Sequence, residues 1–133
     1  MSKLQSFFKE NAGQLNEQEL KLLRFEEPLI IKPVTAGEEQ KINAASFSMK
    51  PGKDGKQEPR FDTGRYNALV AIASIEFPDL NDTNLQDSYG VRGAEALYGV
   101  MFTMGEHQKI QEMAMEISGL NESTEDLKEE AKN

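Results

Sequence analysis

The chain has 133 residues, enough for one domain with a modest core, and its 15 Lys+Arg against 23 Asp+Glu leave a net charge of −8. So acidic a chain is repelled by phosphate backbones and anionic lipid, which argues against nucleic-acid and membrane partners. With no cysteine and no apolar run near the ~20 residues of a membrane span, disulfides, thiolate metal sites, cysteine catalysis and transmembrane helices are excluded as well.

Leu4, Phe7 and Phe8 recur at i, i+3, i+4 ahead of Gly13, which predicts a short amphipathic helix over 3–11. Alone it is too short to be stable, so residues 1–14 read as a mobile N-terminal segment. The start carries no apolar stretch long enough for a secretory signal. LKLLRF and LIIKPV flank Glu26-Glu27-Pro28 and predict a β-hairpin over 20–25 and 29–34, with 17–25 open to a helical reading. Pro33 ends the second strand or confines it to an edge. Thr35-Ala36-Gly37-Glu38 has capping-box spacing and opens a helix over 36–47 with Ile42, Ala45 and Met49 on one face. Residues 48–61, rich in Lys, Gly and Pro, read as a flexible basic loop or a wide hairpin.

Tyr66, Leu69, Val70, Ala73 and Phe77 form the clearest helical stripe, so a helix over 64–76 with this buried face is the expected centre of the core. Asp62 or Thr63 caps it. Asn81 is the expected cap of a short helix over 82–88, Tyr89 is expected to pack on the central helix, and Gly90 to turn left-handed. Ala94, Leu97, Val100 and Met101 mark another helix. Ile110, Met113, Ala114 and Ile117 mark the next, with Gly119 after its end. Residues 121–133 hold five acids and one leucine and read as an acidic, solvated or disordered tail. The expectation is an α+β, predominantly helical fold: a small N-terminal β-hairpin, then a bundle of about four to five short helices, as one domain over 15–120.

Catalytic chemistry is absent from this pattern. His107 is the single histidine and has no second His or Cys to join it as a metal ligand. Asp79, Asp82 and Asp87 lack the glycine and the distal glutamate of a calcium loop and read as helix caps. KPGKDGK lacks the G-x-x-x-x-G-K-[ST] spacing of a phosphate loop. Four of the six methionines fall at 101, 104, 113 and 115, and methionine serves both core gaps and adaptable binding surfaces. Leu4, Phe7, Phe8, Met101, Met104 and Met115 are therefore the candidate partner-binding residues. The N-terminal helix is expected to cover the methionine-bearing pair or to dock on a second copy. No catalytic, cofactor or metal residue is assigned.

The segment YNALVAIASIEFPDLNDTNLQDSYGVRGAEALYGVMFTMGEHQKIQEMAMEISGLNE resembles the XkdN-like tail assembly chaperones of long-tailed phages and prophages of Gram-positive bacteria. The FPDLND step, LQDSYGVRGAEAL and the MGEHQKI helix ending in ISGLNE carry the resemblance, and MSKLQSFFKEN fits it. It implies a non-enzymatic chaperone that needs no cofactor. Such a protein binds the aggregation-prone, helical tape measure protein in the host cytoplasm and is absent from the mature virion. The tail tube protein and a frameshifted longer form of the chain are further implied partners. The other reading is a structural minor tail or connector protein built into the virion.

Overall fold

The computed structural model describes residues 2–120, so the expectation for the acidic segment 121–133 lies outside the described residues. The chain runs β1 (Gln18–Leu20), β2 (Leu29–Ile31), α1 (Ala36–Ala45), β3 (Phe47–Pro51), β4 (Gln57–Phe61), α2 (Thr63–Ser74), β5 (Ile75–Phe77), α3 (Thr83–Ser88), α4 (Ala94–Met101) and α5 (Met104–Ile117). The fold is α+β with helices predominating, as expected.

The N-terminal helix is replaced by a single 3-10 turn over Gln5–Phe7. Ser2 Oγ accepts the Gln5 N–H at 3.1 Å, as a cap does, but Asn11 Nδ2 takes up the Gln5 carbonyl at 2.8 Å, an acceptor that a longer helix would use. No residue of the turn is buried to offset that competition.

β1 and β2 form the expected antiparallel hairpin, with Gln18 opposite Ile31 and Leu20 opposite Leu29. Its first strand ends where it was expected to begin. Leu22, 1 % exposed, leaves the ladder to enter the core, and the Lys21 ammonium ties the loop by donating to the Phe25 and Glu26 carbonyls. β2 stops before Pro33 and is the central strand of three, paired on its other side with β5. β5 was expected to belong to the helix before it. Three-residue strands gain stability only from partners distant in sequence, so local periodicity does not reveal them.

α2 is the central helix, packed against α1, α4 and α5. Asp62 caps it by accepting the Arg65 N–H at 3.0 Å. Its buried face differs from the expected one. Ala71 and Ser74 are fully buried, Tyr66, Leu69, Val70 and Ala73 are half-buried, and Phe77 lies beyond the helix, 51 % exposed. Where a helix has neighbours on several sides, the closest backbone approach selects small residues, and the large side chains fill the periphery. Leu97, Ile110 and Ala114, all 0 % exposed, close the core from α4 and α5.

α3 is capped by Asp82 rather than Asn81. Gly90 has φ +69°, as expected, and ends α3 in a Schellman motif: Gly90 N–H reaches the Asp87 carbonyl and Val91 N–H the Gln86 carbonyl. That motif turns Val91 inward onto the core and leaves Tyr89 at the surface, which corrects the expected packing of Tyr89.

Residues 48–61 take the wide hairpin of the two expected forms and not the flexible loop. Together with Phe47 they form the β3–β4 hairpin, whose base is closed by Asp62 N–H donating to the Ser46 carbonyl at 2.7 Å. Asp54 and Gly55, with φ +79°, make its tip. A strand does feed KPGKDGK, but a strand follows it too, so the glycines serve a hairpin turn.

Candidate partner-binding surface

The six candidate residues do not form one surface. Met101 follows Leu97 by four positions on the buried face of α4 and is 6 % exposed, so it belongs to the core. Met104, 88 % exposed, opens α5, and Met115, 38 % exposed, sits near its other end. Eleven residues place these two on one helix face about 16 Å apart. Leu4, Phe7 and Phe8 are exposed, and the hydrogen bonds of residues 2–12 all close within that segment. Leu4 and Phe7, 70 % and 82 % exposed, bury little against the rest of the described residues, so the N-terminal segment does not cover the methionine-bearing helices within one copy.

Met115 has other neighbours. It lines an open groove of about 440 Å³ with Val34, Tyr66, Val70, Ala114 and Leu120 as its other apolar walls. Three local devices build it. Ser118 Oγ accepts the Val34 N–H at 2.9 Å, which fastens the segment entering α1 to the end of α5. The Thr35–Glu38 capping box starts α1 at the groove's rim. Gly119, with φ +84°, ends α5 in a second Schellman motif, in which Leu120 N–H donates to the Met115 carbonyl at 2.9 Å. That bond folds Leu120 back toward Met115, the apolar pairing this motif favours.

The rim is polar. Tyr66 Oη donates to Glu39 Oε1 at 2.8 Å, and this acceptor holds the phenol above its usual pKa. Tyr66 and Val70, expected in the core, are thus groove walls. Val34 and Leu120 were missed. Leu120 was legible, because an apolar residue directly after a C′ glycine is the expected Schellman contact.

A second cluster is structural. Arg24 clasps Glu106 through Nε at 2.9 Å and Nη2 at 2.5 Å, and Nη2 also donates to the Met101 carbonyl at 2.7 Å. Glu106 completes a Thr103 capping box on α5. The Arg24 guanidinium holds its carboxyl down at about 2. The Tyr98 hydroxyl pairs with His107 Nδ1, and burial raises the Tyr98 pKa. Asp82 accepts the Leu85 N–H as the cap of α3, whereas Asp79, expected as a cap, accepts the Asn81 N–H in the turn before it. Among the described residues no cluster of three or more acidic or histidine side chains is arranged to hold a metal. No helix among them is long and apolar enough to cross a membrane. Among the described residues the geometry offers an apolar groove with a polar rim.

The chain is 31% identical over 107 residues to the phage-like element PBSX protein XkdN of Bacillus subtilis, covering 80% of this chain and 72% of XkdN. It is 26% identical over 107 residues to protein YqbN of that bacterium, covering 80% of this chain and 72% of YqbN. The crystal structure of YqbN superposes with a TM-score of 0.72 at 19% identity, covering 91% of this chain and 99% of that one, and so shares the fold. The profile of the family described as phage XkdN-like tail assembly chaperone protein matches residues 4–132, and the chain belongs to that family.

Proposed function

We propose that the chain binds the tape measure protein of its phage and keeps it soluble until the tail tube assembles around it. The observation that carries this reading is the open apolar groove between α1, α2 and α5 on a member of a tail assembly chaperone family. A client with long amphipathic helices exposes apolar stripes, and a helix docking by such a stripe needs a groove with apolar walls and a polar rim. Met115 gives one wall an unbranched, adaptable side chain, while Glu39 and the Tyr66 hydroxyl supply the rim. The net charge of −8 favours solubility of the free chain. The chain acts in the host cytoplasm, does no covalent chemistry and is left out of the virion.

Co-expression tests this. The tape measure protein alone is expected to be insoluble, and with this chain to stay in solution and co-purify with it. Mass spectrometry of purified virions is expected to find the tail tube protein and not this chain. A tape measure protein equally insoluble with and without the chain overturns the proposal. So does recovery of the chain from virions in stoichiometric amount, which marks a tail component.

A further inference from the structure

The β3–β4 hairpin has two unlike faces. Its ladder sets Phe47 against Phe61 and Met49 against Pro59 on one side, and Ser48 against Arg60 and Lys50 against Glu58 on the other. The Phe47 and Phe61 rings meet edge-on with centroids 5.3 Å apart, and Phe61 leans on Tyr66 at 5.4 Å. The apolar face is otherwise open: Phe47 is 48 % exposed, Met49 58 % and Phe61 41 %. A two-stranded ribbon is marginal in water by itself, so an uncovered apolar face on one is a candidate contact surface. The ribbon is also basic. Residues 50–60 carry four basic and two acidic side chains, in a chain whose net charge is −8.

The complementary patch lies on the same chain. The hairpin adjoins the N-terminal end of α2. At the other end, about 18 Å away along twelve residues of helix, the β1–β2 loop and β5 border a cleft of about 390 Å³. Phe77, Pro78, Glu26 and Glu27 line it. Arg24 in its wall is taken up by Glu106, and Lys32 pairs with Glu76 at 3.3 Å. Among the described residues Glu26 and Glu27 form no ion pair. A basic apolar ribbon and an acidic apolar cleft thus sit at opposite ends of one helix.

We propose that this chain associates with a second copy of itself, the β3–β4 hairpin of one copy docking in the Phe77 cleft of the next. The contact is head-to-tail, so it closes into a ring or continues as a short chain of copies according to the rotation between them. The inference rests on this chain's own two patches and stands apart from client binding.

Sedimentation of the full chain without client tests it, with two charge reversals: Lys53→Glu with Lys56→Glu on the hairpin, and Glu26→Lys with Glu27→Lys at the cleft. The wild-type chain is expected to associate with rising concentration, and less so at high salt. Each reversed protein alone is expected to associate about ten-fold more weakly, because like charges then face each other. An equimolar mixture of the two is expected to recover association, the acidic hairpin of one meeting the basic cleft of the other. Unchanged far-ultraviolet circular dichroism shows that the variants fold. A wild-type chain that stays monomeric up to about 1 mM, where even weak contacts populate, overturns the proposal. So does association that both reversals leave unchanged, or a mixture that fails to recover. A monomeric wild type whose hairpin variant loses only client binding makes the ribbon a client site instead.

Discussion

Ile110 is fully enclosed, and Leu69 on the neighbouring helix is only half so. The difference decides what truncation costs. Ile110→Ala removes buried methylenes and leaves a cavity that α2 and α4 cannot refill, for an expected loss of about 2–5 kcal/mol, enough to threaten a domain of this size. Leu69→Ala gives up less buried area, for an expected loss of about 1–2 kcal/mol. Urea unfolding of both variants checks the order, and an equal or larger loss at Leu69 contradicts the packing described. The same scale explains the methionines. Met101 and Met115 share a residue type and a helical context, yet one is core and the other lines a groove. Residue type sets only that both can adapt; the position of each on its helix decides which surface it meets.

At the scale of elements, the caps do most of the positioning. Thr35–Glu38 and Thr103–Glu106 share the T-x-x-E spacing, and Gly90 and Gly119 end α3 and α5 by the same motif. Glu106 belongs to a box and to the Arg24 clasp at once, which makes it pH-sensitive. Its carboxyl sits at about 2 in the folded chain against an ordinary value of 4.5. A depressed folded pKa means stabilisation that is full above about pH 4.5 and is lost as pH falls toward 2. Glu106→Gln is therefore expected to lower the thermal midpoint at pH 7, with the gap to wild type narrowing by pH 3. A gap that stays constant across that range shows that the clasp adds no charge-dependent stability. Elements whose signals are local were legible in the sequence: the capping box of α1, the stop at Gly90 and the helices at 94–101 and 104–117. Strand β5 and the true face of α2 were not, because each is chosen by a partner far along the chain. The β3–β4 hairpin was legible only as one of two readings, since lysine, glycine and proline also read as loop and the Phe47–Phe61 pair that closes it joins the two edges of that stretch.

For the whole molecule, the family was legible and the site was legible only in part. Sequence singled out Met115, but placed Tyr66 and Val70 in the core and gave the methionines and Phe7/Phe8 one joint surface. The groove instead arises where the start of α1, the middle of α2 and the end of α5 converge, three segments no local pattern connects. On the proposed function, this convergence holds the client helix. Hydrogen–deuterium exchange of the chain, alone and in complex with the tape measure protein, tests it most directly. Side-chain docking there should slow backbone opening in the groove's own segments. Added protection is expected over residues 34–39, 66–70 and 114–120, with loss of that protection together with client binding in Met115→Glu. Protection confined to other segments, with the groove exchanging as fast as in the free chain, contradicts it.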